Sequence, residues 1–299
     1  MSSTLSRKKH MDVSNTVDVT NPDAVTLAVR SILDGRYPDY DFSQVNTLVN
    51  DFSRLYGGEY PGYKACDVNY HNVQHVLDVT LAMARLVDGY EQVADQDDQL
   101  GPQLALTGIA AALFHDAGYI RRTGDNRHPN GAGYTRTHVT RSASFLSAYL
   151  PSVGLESIRA TCKRIVHFTG YEVNPDIIKV KSARERVLGA LLGTADLIAQ
   201  MADVEYVKKC HDDLFSEFEA GGMTGESGLT SSAGVVFRSP QHLLESTPNF
   251  IRMAIDVRLE GYFKGVYRHA ADFFNGPNLY MESIERNCRE LERQLAAGN

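Results

Sequence analysis

An all-α fold, a helical bundle with additional N- and C-terminal helices, is predicted by three observations. Apolar residues recur at helical spacing in long segments, strand-like alternation is scarce, and a Gly/Ser/Thr-rich stretch, Ala220 to Gly234, separates one group of helical segments from the next. Residues 1 to 20 are rich in Ser and Thr, with Lys8 and Lys9 clustered, and are expected as a flexible N-terminal segment ahead of a single domain over 21–299. From Asn21 to about Tyr56 two helices are expected, with Asn21-Pro22 reading as an N-cap and first-turn pair. Further helices follow at about 71–90, 102–116, 138–149, 155–168, 185–202 and 203–219. A Gly/Ser/Thr-rich stretch from Ala220 to Gly234 then precedes helices at about 240–275 and 278–296. These last helices either close the core or present a face to a second copy, so a homodimer is one expectation.

Composition sets the broad class. A chain of 299 residues, 43% hydrophobic and 22% charged, can bury a large core. No apolar run reaches the length of a membrane span without polar interruption, and no signal-peptide segment opens the sequence. Cys66, Cys162, Cys210 and Cys288 form no CxxC or framework pattern, which makes a reduced, cytoplasmic protein the default. A net charge of −7 argues against a broad nucleic-acid surface, although Arg121, Arg122, Arg127 and Arg136 form a local basic group able to receive a phosphate.

Three separated segments place metal-type ligands in apolar surroundings. Asp196 is the only acidic or basic residue between Val187 and Ala202, in a run that reads as a buried helix. An unpaired carboxylate there costs several kcal/mol of desolvation, so it requires a cation, a metal or a proton. The apolar stretch Leu104–Phe114 ends in His115-Asp116-Ala117-Gly118. Adjacent helical residues point about 100° apart, so both reach one ion only at a helix end, and Gly118 is consistent with such an end. His71 and His75 stand four apart and share a face if both are helical, with Asn72 and Asp78 supplying polar groups to orient the rings. Together these segments predict a metal site of His75, His115, Asp116 and Asp196. Imidazole and carboxylate donors suit divalent Mn, Fe, Zn or Mg. Two such ions sharing Asp116 would activate a water and clamp a phosphoryl group, with a nearby uncoordinated histidine as general acid.

Tyr70-His71-Asn72-Val73-Gln74-His75 with Asp78-Val79-Thr80, followed by His115-Asp116 and Ala195-Asp196-Leu197, is similar to the signature of the class I cyclic nucleotide phosphodiesterases within the HD-domain superfamily of metal-dependent phosphohydrolases. The resemblance covers roughly residues 70 to 275. It implies that His71 protonates the leaving oxygen and that His75, the His-Asp pair and Asp196 bind metal. It also implies that His138 and His167, which lie between the His-Asp pair and Asp196, ligate a second ion. The chain departs from the pattern in two places. Tyr119 stands where the phosphodiesterases carry a further histidine, and Phe250, the candidate aromatic wall, is preceded by Thr247-Pro248-Asn249 without the purine-reading glutamine.

The expectation is therefore a phosphohydrolase acting on a small-molecule phosphate ester, with a cyclic nucleotide as one candidate. Arg121, Arg136 and Phe250 are candidates for binding the substrate, and Arg122 and Arg141 are further candidates for a phosphate grip. The alternatives are a nucleotidase or phosphomonoesterase, a diiron HD-domain oxygenase using the same ligands with further histidines, and a non-catalytic sensing module. The retained set of four ligands weighs against the last.

Overall fold

The computed structural model describes residues 7–224 and 237–297. Among them the chain is all-α, with no β-sheet and only isolated bridge pairs such as Tyr63 with Arg122. Most of the Ala220–Gly234 stretch lies outside the described residues, as do residues 1–6.

Helix α1 (Pro22–Arg36) starts as its sequence predicts, with Asn21 Oδ1 accepting from the Asp23 and Ala24 amides and Pro22 in the first turn. Helix α2 (Gln44–Gly57) ends on Gly58 in the left-handed region, at φ 80°. Helix α3 (Val73–Val93) is the centre of the bundle. Nearly every residue on it from His75 to Gly89 is buried, because α1, α4 (Pro102–Phe114), α7 (Ala183–Ala202) and α11 (His269–Phe274) pack around it. Helices α5 (His138–Ser152) and α6 (Glu156–Ile165) cover the side formed by α4, and α12 (Leu279–Ala297) buries Tyr280, Ile284 and Leu291 against α7 and α10 (Pro240–Met253).

Two connections depart from regular helix. Helix α8 (Tyr206–Lys209) runs through a π-helical turn, Cys210–Leu214, into α9 (Phe215–Ala220), and α10 continues as a π-helical segment, Ala254–Tyr262. From the second of these, buried Arg258 donates to the carbonyls of Phe168 (2.7 Å) and Gly170 (3.0 Å), tying the turn after α6 to the C-terminal helices.

Residues 7–20, expected within a flexible segment, pack against the bundle. Asp12 is fully buried. Its carboxylate accepts from the amides of Ser14, Thr16 and Val17 and pairs with Arg85 Nη2 at 2.6 Å, while Arg85 Nη1 donates to Tyr280 Oη. Ser/Thr richness here serves turn-forming hydrogen bonds rather than solvation.

No single helix among the described residues is long and apolar enough to cross a membrane. The pair Ala183–Ala202 and Tyr206–Ala220 meets that measure only jointly and is bent by 96°. The four cysteines are unpaired.

Candidate metal centre

Three separated helices, α3, α4 and α7, bring the candidate ligands together. His75 lies in the first turn of α3, where Asn72 Oδ1 caps the helix by accepting from the His75 amide at 3.2 Å. Asn72 thus serves the backbone, not a histidine ring. His71 precedes this cap and is not helical, so the shared helical face expected for His71 and His75 does not form.

Helix α4 ends at Phe114, with His115 still in helical geometry and Asp116 turned out of it at φ −106°, ψ 7°. That turn removes the 100° splay that would separate neighbours on a continuous helix, and a 3₁₀ turn, Ala117–Tyr119, follows. Gly118 is required there. A β-carbon on it would lie 1.9 Å from the His138 carbonyl oxygen, so only glycine lets the start of α5 close onto this turn. Gly118 N donates to Ser142 Oγ and Arg141 Nε donates to Gly118 O, locking the contact. Asp196 reaches the same point from the middle of α7, where Gly193 one turn earlier leaves room for the Phe168 carbonyl and the Phe263 ring.

The four groups converge. His75 Nε2 is 3.4 Å from both Asp116 Oδ2 and Asp196 Oδ1, and His115 Nε2 is 3.1 Å and 3.7 Å from the same two oxygens. Yet His75 Nε2, His115 Nε2 and Asp116 Oδ2 are buried without a hydrogen-bond partner of regular geometry. Donors about 2.0–2.2 Å from one ion stand about 3–3.5 Å from one another, which is the spacing found. The buried group His75, His115 and Asp116 could therefore hold a metal ion, and Asp196 Oδ1 lies 3.4 Å from His75 Nε2 beside it.

The local hydrogen bonds set the rings for this role. His115 Nδ1 bonds the Ala112 carbonyl at 2.8 Å, which places its proton there and leaves the Nε2 lone pair for a cation. His138 does the same with the Thr135 carbonyl at 2.6 Å, and its Nε2 is 3.6 Å from Asp116 Oδ1. Asp116 thus presents one oxygen to His75 and His115 and the other to His138. Burial works against charge on Asp116 and Asp196, but the histidines beside them overcome it and hold both carboxyls well below the usual range. Burial likewise opposes protonation of His75 and His115, and the two carboxylates outweigh it and raise both. Four groups that charge one another in a buried space form the environment that a divalent cation would replace.

Beside this cluster stands an arrangement the sequence reading missed. Glu217 of α9, 4% exposed, accepts from the Tyr70 amide at 2.5 Å and holds His71 Nδ1 at 2.6 Å from Oε2. Tyr119 lies nearly parallel to both His71 and His138, its ring centroid 4.5 Å from each. It fills by stacking the position where the resemblance expects a further histidine. The hydrogen-bonding partners of Asp196 were also not anticipated. Tyr70 Oη donates to Gln200 Oε1, and Gln200 Nε2 donates to the Asp196 carbonyl at 3.3 Å.

Other candidates are placed elsewhere. His167, in the 3₁₀ turn Val166–Phe168, has a buried, unpartnered Nδ1 but no contact with Asp116 or Asp196. Its only charged influence besides burial is Lys163, so it does not join the cluster. Arg121 is a structural tie rather than a free phosphate grip, with Nη2 on Asp67 and Nη1 on the His128 carbonyl at 2.9 Å. Arg136 donates to the Gly222 carbonyl at 2.8 Å, and Arg141 lies 3.6 Å over the Tyr134 ring while holding Gly118. Phe250 is half-buried, with its ring centroid 6.5 Å from that of Tyr171. No protein-family model matches this chain, and no curated protein matches it.

Proposed function

We propose that this protein is a metal-dependent phosphohydrolase of the HD-domain type that cleaves a small-molecule phosphate ester, with a cyclic nucleotide phosphodiester as one candidate substrate. The observation that carries the reading is the set of unpartnered buried atoms, His75 Nε2, His115 Nε2 and Asp116 Oδ2, turned toward one another and toward Asp196. His75, His115, Asp116 and Asp196 would hold a first divalent ion, and Asp116 with His138 would contribute to a second. Bound there, such ions supply Lewis-acid polarisation of a phosphoryl oxygen and a water of lowered pKa.

The remaining steps fall to the chain itself. Glu217 keeps the Nδ1 proton of His71 and turns the ring so that Nε2 is free to deliver a proton to the departing alkoxide. Tyr119, stacked on His71, restrains the ring plane against rotation. Arg121, Arg136 and Arg141 all bond the protein's own carbonyls or carboxylates, so none of the three stands free as a phosphate grip.

The test is metal analysis of anaerobically purified protein together with hydrolysis of bis(4-nitrophenyl) phosphate, 4-nitrophenyl phosphate and cyclic and linear nucleotides with Mn²⁺, Mg²⁺ or Fe²⁺. Metal-dependent product release is expected, and its distribution separates diester from monoester chemistry. The additional histidine, His138, also suits a dinuclear iron oxygenase, to which tightly bound iron with oxygen uptake and no hydrolysis would move the assignment. Metal binding without turnover of any kind would leave a sensing module.

A further inference from the structure

Beside His75, residues of α3, α7 and α8, with Tyr70 and Asp203, line a cavity of about 10 Å³, room for one water molecule. Its polar walls differ in how well they are satisfied. Asp203 Oδ1 accepts from the Glu205 amide at 2.8 Å and Oδ2 from Lys209 Nζ at 2.6 Å, and Gln200 is engaged by Tyr70 and Asp196. Asp78 is different. It is 5% exposed, its Oδ1 is buried without a partner, and the Arg7 guanidinium stands 3.9 Å from Oδ2, beyond hydrogen-bond reach. A buried carboxylate in that condition is costly unless something donates to it.

His75 lines the same cavity. Its contacts with Asp116 and Asp196 are both through Nε2, which leaves Nδ1 uncommitted to either carboxylate. A metal-bound imidazole almost always gives its second N–H to a carboxylate, a carbonyl or a water. Asp78 stands three residues after His75 on α3 and so occupies the same face.

We infer that Asp78 is a positioning residue of the metal centre, acting through a single water in this cavity that accepts from His75 Nδ1–H and donates to Asp78. The inference rests on the reading of His75 as a metal ligand and deepens it by assigning what fixes the ring's tautomer. With Nδ1–H held, the Nε2 lone pair points permanently at the ion and gains basicity from the carboxylate behind it.

Mn²⁺ titration of the metal-free full-length protein by calorimetry, with Tm measured on the same samples, tests it. Asp78→Asn keeps the shape and removes the charge, and is expected to weaken Mn²⁺ by about 10-fold or more while leaving the metal-free Tm at or above wild type. Ala199→Val fills the cavity from α7 without touching Asp78 and is expected to weaken Mn²⁺ in the same direction, so the idea remains testable if Asp78→Asn folds poorly. Arg7→Gln, which removes the nearby cation, is expected to leave Mn²⁺ affinity unchanged. Wild-type affinity in both Asp78→Asn and Ala199→Val overturns the proposal. So does a lowered metal-free Tm shared by Asp78→Asn and Arg7→Gln with Mn²⁺ affinity intact, since Asp78 would then only anchor the N-terminal segment. A wild-type protein that binds no divalent metal refutes the metal centre itself, a result distinct from either of these.

Discussion

Glu217 Oε2 lies 2.6 Å from His71 Nδ1, joining two residues 146 positions apart in the chain. The same carboxylate accepts the Tyr70 amide, so it fixes both the backbone that carries His71 and the ring itself. Substituting His71→Ala is expected to lower kcat by about 10²–10⁴-fold, the range for loss of a general acid, with metal content unchanged. Glu217→Gln keeps a hydrogen-bonding group but loses the charge, and should lower kcat by a smaller factor in the same direction. Metal loss in His71→Ala would place that residue in the coordination sphere instead.

Asp116 is the candidate ligand on which the proposed arrangement depends most, because its two oxygens face different histidines. Asp116→Ala is expected to abolish both turnover and bound metal, read by elemental analysis beside the ester assay. Full activity in this variant would sink the hydrolytic mechanism.

How legible this was in the sequence can be read from particular residues. Asp196 and the His115-Asp116 pair announced themselves because an apolar helix has no ordinary use for them, and in the fold they lie buried close to His75. The bundle was legible for a similar reason: Asn21-Pro22 at α1 and long apolar runs at α3, α4 and α7 carry local signals that tertiary packing then reinforces. Glu217 was not legible. It stands among Asp212, Asp213 and Glu219 and looks like one more solvated acid, and its burial comes from docking against residues far back in the chain. Asp12 was hidden in the same way, since its partner Arg85 is 73 residues on. His167 failed in the opposite direction, because its chain position suggested a ligand that the end of α6 does not deliver to the cluster.

Metal binding should release protons. Burial opposes charge on His75 and His115, yet Asp116 and Asp196 raise both above the ordinary histidine value in the metal-free protein. A coordinating imidazole must give up the proton at its ligating nitrogen. Mn²⁺ affinity is therefore expected to fall as pH falls, because protons compete for the same lone pairs. Calorimetry at pH 7 in two buffers of different ionisation enthalpy should show net proton release, and identical enthalpies in the two would contradict it.

The buried pair Asp12–Arg85 predicts a distinct acid sensitivity. Burial pushes the Asp12 carboxyl up, but Arg85, the Ser14 hydroxyl and two amides outweigh it and hold the group down at about 2. A depressed folded-state pKa contributes stability that is present above the unfolded value, near 4, and lost as pH falls toward 2, on the order of 2 kcal/mol. Asp12→Ala also strands Arg85 and should cost about 3–5 kcal/mol at pH 7. The gap in Tm between wild type and variant is expected to narrow between pH 5 and pH 2. A gap independent of pH would show that the carboxylate's charge is not what matters.

Gly118 couples the fold to the candidate metal centre through the start of α5. A β-carbon there meets the His138 carbonyl at 1.9 Å, so Gly118→Ala must push the start of α5 away from the His-Asp turn. Overpacking of this kind costs about 1–3 kcal/mol. The displaced element begins with His138, whose Nε2 stands 3.6 Å from Asp116, so the second ion should suffer more than the first. Gly118→Ala is expected to lower Tm by several degrees. Metal content should fall toward one ion while His75, His115 and Asp196 keep the other. Equal loss of both ions would mean that the turn positions Asp116 itself, and unchanged metal content would mean that α5 is not what brings His138 to the site.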